Sequence, residues 1–142
     1  MDHNEDFLQD LYQNTKTGEE SIASLLKHVN QNEMKDALVT QMQGYAQLSS
    51  KAKQQIYHLN QEPHESGPLS KMMTQTMSRM SVMNDSSPTH IAEMVIQGST
   101  MGIVNATEHM NKYADLGKDV SALANEVVRF EQKSIDRMKE FL

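Results

Sequence analysis

The sequence predicts an all-α protein: a bundle of four long helices with one short extra helix between the second and third. Three observations carry that expectation. Apolar residues recur at steps of three and four along four separate stretches, the seam spacing of bundle helices. Leu, Met, Ala, Gln, Glu and Lys dominate while aromatic residues make up only 5%, a composition that favours helix over strand. The three prolines, Pro63, Pro68 and Pro88, all fall between or at the edges of those stretches. At 142 residues the chain makes one domain, 1–142.

The first helix is expected over residues 6–29, on the stripe Leu8, Leu11, Thr15, Gly18, Ile22, Leu25 and Val29. Asn30, Gln31 and Asn32 form a polar break. The second helix is expected over 32–59, on Met34, Leu38, Gln41, Tyr45, Leu48, Ala52, Ile56 and Leu59. So short a connection makes the two helices antiparallel neighbours. Residues 60–68 read as a loop, and a short helix over 69–83 carries Met72, Met73, Met77, Met80 and Met83. Ser87 is a good N-cap, with Pro88 at the first helical position of a long helix reaching 111. A turn over 112–117 leads to the last helix, 118–141.

Residues 60–87 are long enough to climb the bundle, roughly 40 Å at about 1.5 Å per residue. The second and third long helices can therefore run parallel. Two helical hairpins joined by one long crossover form the ferritin-like arrangement.

Composition excludes several function classes. The absence of cysteine rules out a disulfide scaffold, a thiolate metal site and cysteine catalysis. A net charge of −6 argues against a nucleic-acid binder, which needs a basic surface. No apolar run approaches the ~18 residues of a membrane span. The acidic start lacks the apolar segment of a secretory signal. A cytoplasmic location is expected. No phosphate-binding loop or nucleophile motif occurs.

Polar residues interrupt the apolar stripes at mid-bundle. Glu19 falls within the stripe of the first helix, Gln41 and Tyr45 at the centre of the second, and Glu131 and Ser134 within that of the last. Antiparallel pairing sets them at one level, beside Gly98 of the third long helix. A buried carboxylate is costly unless paired, protonated or metal-bound. Di-iron bundles take one Glu from each of two helices and a Glu-x-x-His from each of the other two. No Glu-x-x-His occurs in this chain. A hydrogen-bonded polar layer without cofactor is therefore the preferred reading. The alternative is an iron or manganese site on Glu19 and Glu131, with Gln41, Tyr45 and Ser134 in the same layer.

The chain resembles the ferritin-like superfamily over residues 6–142, and most closely an uncharacterised bacterial branch of it, a domain of unknown function. The matching pieces are Leu8 to Leu11 through Gly18-Glu19, Ser66-Gly67 opening the short helix, and Ile91 through Gly98. That branch carries acids on both sides of the helix-three glycine, where this chain has Ile96 and Ser99. The resemblance implies a ferritin-like fold. With those acids and the histidines missing, it does not imply iron storage or ferroxidase activity.

Two further features bear on partners. Twelve methionines suit adaptable packing, and the Met72–Met83 stripe lacks the Cys or His that would accompany a Cu(I) site. The third long helix carries a second apolar face, Ala92, Ile96, Ser99, Ile103, Ala106 and Met110, beside the stripe Ile91, Met94, Val95, Gly98, Met101, Gly102 and Asn105. A bundle buries one face, so the other needs a cover: the short Met helix, a second subunit or both. The expected protein is a non-enzymatic binding or structural homodimer. Its interface is expected at or near Met77, Met80, Ile96 and Ile103. His109 lies near the inward face toward one end of the bundle, and His90 pairs with Glu93 one turn on at the surface.

Overall fold

The computed structural model describes residues 3–65 and 86–142. Four helices occupy them: α1 (His3–Leu26), α2 (Asn32–His58), α3 (Pro88–Lys112) and α4 (Lys118–Lys139). There is no strand among the described residues. The expected short helix with Met72, Met73, Met77, Met80 and Met83, and the Ser66-Gly67 loop, lie outside them.

The helix ends follow local chemistry and tertiary contact. Ser87 extends its backbone at φ −62° and ψ 150°, and its side chain accepts from the His90 N–H with Pro88 just inside the helix. α2 ends with Asn60 in the left-handed region at φ 58°. Its N–H donates to Tyr57 O, and Gln61 N–H donates to Ile56 O, the paired bonds that close a helix over a left-handed residue. α1 begins three residues earlier than its stripe suggests. His3 stacks on Tyr113 at 4.1 Å and bonds Asp115 at 2.9 Å, and Asn4 Oδ1 accepts from the Gly117 N–H at 2.8 Å. At its other end α1 stops at Leu26, where His28 and Val29 bond three residues back to Leu25 and Leu26.

Helix directions are fixed by contacts at the ends. α1 and α2 form one antiparallel hairpin, and α3 and α4 the other. Asp10, near the start of α1, meets His109, near the end of α3, at 2.8 Å. Lys51 pairs with Glu126, and Gln55 donates to Asp119 O, so the end of α2 lies on the start of α4. The directions are thus up, down, down, up, and α2 runs parallel to α3.

The core has two halves. One gathers Ile22, Leu25, Met34, Leu38, Ile91 and Met138, and the other Phe7, Leu8, Leu11, Ile56, Leu123 and Val127. Between them lie the buried polar side chains Thr15, Gln41, Ser99 and Glu131. α3 departs from its expected burial at this level. Ile91, Met94 and Val95 are buried as the stripe requires, but further along Ser99 and Ala106 are buried while Met101 is 46% exposed. The small residues of the second face let α3 approach its neighbours there. Gly98, Met101, Gly102 and Asn105 instead wall a cavity that faces α1.

The chain leaving α2 is held by two side chains of α1, the outer one being Gln13, whose Nε2 donates to Glu65 O at 3.4 Å. Buried Gln9 donates through Nε2 to Glu62 O at 2.9 Å and accepts through Oε1 from the His64 N–H at 2.8 Å. Replacing Gln9 by Ala removes both bonds and should lower the unfolding free energy by about 1 kcal/mol, read as a shifted urea midpoint at constant slope. An unchanged midpoint would mean that the clamp contributes nothing.

Candidate functional site

The mid-bundle layer is assembled by close approach at two glycines. A Cβ on Gly18 of α1 would stand 2.7 Å from the Tyr45 ring, so only glycine lets that ring lie against α1. A Cβ on Gly102 of α3 would stand 3.0 Å from the Glu131 carboxyl carbon. Phe130 holds the Tyr45 ring from the other side, edge to face at 4.9 Å. The two glycines thus admit a phenol from α2 and a carboxyl from α4 into one layer.

Glu131 is 2% exposed and Gln41 4% exposed. The hydroxyls of Tyr45 and Ser99 donate toward the Glu131 carboxyl, and Gln41 Nε2 donates to Ser99 Oγ at a long 3.4 Å. Burial lifts the Glu131 carboxyl from an ordinary 4.5 to about 7, against the lowering pull of those two donors. Burial, and then the neighbouring Glu131, pushes the Tyr45 hydroxyl well above its usual 10, so it stays a donor. Three buried atoms of the layer lack a hydrogen-bond partner: Glu131 Oε2, Gln41 Oε1 and Thr17 Oγ1.

These residues line a cavity of about 70 Å³ between α1 and α3. Its walls include Ile22, Val95, Ala106 and Val127, and its rim carries Asp10 and His109. His109 Nδ1 lies 2.8 Å from Asn105 O, Nε2 lies 2.8 Å from Asp10 Oδ2, and Phe7 stacks on the ring at 5.0 Å. Both ring nitrogens therefore face acceptors. That arrangement is complete only when both carry protons or when Asp10 does. Burial raises the Asp10 carboxyl, and the facing His109 opposes that rise.

The structure brings Glu131, Gln41 and Tyr45 together at the cavity. It places Glu19 and Ser134 elsewhere. Glu19 stands at the expected level, beside Gly18, but its side chain turns toward Lys16 at 3.3 Å and is 22% exposed. On the face that α1 turns to Tyr45 stands Gly18 instead. Ser134 is buried, but its hydroxyl donates to Phe130 O, one helical turn back. The glycine against Glu131 is Gly102, one turn past the expected Gly98. Ser99 enters the layer unforeseen, because its wheel position put it on the second apolar face. The signal was its chemistry, a small hydroxyl between two glycines of one helix. Among the described residues no three of His, Asp and Glu converge on a point where a metal would sit.

No protein-family description matches the chain, and no curated protein matches it. The fold is similar to the crystal structure of a DUF305 fragment from Deinococcus radiodurans, with a TM-score of 0.77 and 15% identity, covering 99% of this chain and 95% of that one. At that identity the likeness concerns the fold. The all-helical architecture is thus shared with a domain of unknown function.

Glu131 gives the protein a pH dependence opposite in sign to that of a salt-bridged carboxylate. Its folded value lies above its unfolded one, so between about 4.5 and about 7 the folded chain holds a proton that the unfolded chain releases. Stability is fully present below that window, falls as pH rises through it and is level above. At about 1.4 kcal/mol per pKa unit the full loss is about 3 kcal/mol. Glu131→Gln, neutral at every pH, should flatten this part of the profile and equal or exceed the wild type at pH 8. Urea midpoints at pH 5 and pH 8 check it. A wild type more stable at pH 8 than at pH 5 would show that Glu131 is charged and satisfied.

Proposed function

We propose that this chain is a ferritin-like bundle with a non-enzymatic, ligand-binding role. Among the described residues its mid-bundle centre holds a single carboxyl, at a largely apolar cavity where related bundles hold a metal pair. The helix directions support the fold assignment, since two hairpins joined by one long crossover, with α2 parallel to α3, is the ferritin-like order. The residues do not fit a di-metal centre. Among the described residues Glu131 is the only carboxylate in the layer, Glu19 is bonded to Lys16, and a phenol and an amide are poor further ligands for iron or manganese. One observation carries the binding reading. Glu131 and Gln41 line the cavity, and each keeps a buried acceptor without a partner, a cost that a bound donor would relieve.

Metal analysis of natively purified protein tests this against the metal-binding alternative. Iron, manganese and zinc should each stand well below one equivalent, and a chelator should leave the melting temperature unchanged, because a ligand of the native state would raise it. Stoichiometric metal that disappears in Glu131→Gln would establish the alternative.

The same reading includes a homodimer through α3. Met101 and Val104 are each 46% exposed and one turn apart on α3, and half-buried Ile96 and Ile103, two turns apart from each other, lie further round the helix. An apolar strip of this kind on a small bundle favours a symmetric partner. Met77 and Met80, expected at the same interface, lie outside the described residues. Light scattering at about 50 μM should give a dimer for the wild type and a monomer of unchanged helical circular dichroism for Val104→Glu. A monomeric wild type would remove the dimer from the reading.

A further inference from the structure

Two acceptors of the mid-bundle layer, on Glu131 and Gln41, are left without a donor. The Tyr45 and Ser99 hydroxyls favour the charged form of Glu131, and Gln41 Nε2 donates to Ser99 Oγ. Glu131 Oε2 and Gln41 Oε1 are left over, both on side chains more than nine-tenths buried, with Thr17 Oγ1 on the opposite wall. An occupant that completes the layer has to bring hydrogen-bond donors. It also has to be compatible with the charge of the walls, which hold Asp10, Glu131 and His109 and neither Lys nor Arg. That lining favours a cation over an anion.

Size and polarity narrow the class further. A cavity of about 70 Å³ has room for about five water-sized positions, at ~10–15 Å³ for each. Much of its wall is apolar: Phe7, Leu11, Ile22, Val95, Ala106 and Val127. A hydrated inorganic ion would leave that wall facing water, and an ion stripped of water needs more oxygens than the layer leaves free. A cationic head on a short hydrocarbon body matches both parts. We propose that the cavity binds a small primary alkylammonium ion, its head donating to Glu131 and Gln41 and its alkyl body against the apolar wall. This rests on the binding reading above and names the ligand class for that site.

The groups that face Glu131 define how binding depends on pH. Tyr45 faces it from α2, Ser99 and Gly102 from α3, and the titratable pair Asp10 of α1 and His109 of α3 stands at the rim of the same cavity. A carboxyl held at about 7 is mostly neutral at pH 6 and mostly ionised at pH 8. Affinity for a cation that requires the ionised form therefore changes about tenfold between them.

The test is a titration of the full chain with n-propylammonium chloride, followed by amide NMR shifts of Gly18, Gly98 and Gly102, which line the cavity. A four-heavy-atom ligand is expected to bind with a dissociation constant on the order of a millimolar. Saturating shifts confined to the cavity, about tenfold weaker at pH 6 than at pH 8, are the expected result. Glu131→Gln should weaken binding at pH 8 at least tenfold and abolish its pH dependence. Gly102→Ala, which crowds the carboxyl, should weaken it as well, and His109→Gln should leave the pH dependence in place. Propan-1-ol binding as tightly as the ammonium ion, with no effect of Glu131→Gln, would overturn the ligand class and keep the binding reading. The same shifts produced by potassium chloride alone would assign the site to an inorganic cation and overturn the proposal. No saturable shift with any of the three would mean that water alone fills the cavity, and the binding reading would fall with the proposal.

Discussion

A carboxyl taken almost wholly out of water has to be neutralised, bonded or matched by a cation, and the centre of this bundle is arranged around that requirement. Burial alone favours the protonated form of Glu131, while the Tyr45 and Ser99 hydroxyls favour the charged one. The balance leaves the group poised near neutrality. Each neighbour answers to the same demand. Gly102 leaves space for the carboxyl, Gly18 leaves space for the phenol, and Phe130 pins the phenol ring from the far side.

The polar layer also sets how the rest of the core is built. Two apolar clusters lie on either side of it, and the helix ends are tied at their outer margins by His3, Asn4, Asp10 and His109 at one end and by Thr89 at the other. Within each hairpin the helices pack along their length. Across α1 and α3, contact is sparse, and the cavity opens there. Filling that gap with large apolar side chains would stabilise the bundle. The chain places Gly98, Gly102 and Asn105 there instead, which leaves the gap open at a cost in packing.

Likeness to the DUF305 fragment covers nearly the whole chain at 15% identity, so one fold is reached by two very different sequences. A bundle tolerates such different sequences because its architecture asks only for apolar residues at helical spacing and for connections of suitable length. The chemistry of its centre asks for particular side chains. Among the described residues the centre brings together the Glu131 carboxyl, the Tyr45 phenol, the Gln41 amide and the Ser99 hydroxyl.

Four long helices, their approximate limits, the Ser87 cap and the parallel course of α2 and α3 were all legible in the order of residues, because spacing, capping and loop length are local properties. The level of the polar layer was legible too, since short connections fix which turns of paired helices stand opposite. Which side chains face inward at that level was not. Glu19 and Ser99 show why. A wheel places a residue on a helix, and the helix then rotates until small residues meet large ones. Gly18 against Tyr45 rotated Glu19 out to Lys16, and the small face of α3 rotated Ser99 in. The sequence by itself determined an all-helical bundle with acids and amides at its middle. Only the tertiary structure decided that Glu131 would be buried and Glu19 would not, because the depth of a side chain depends on the volumes of neighbours far away in the chain.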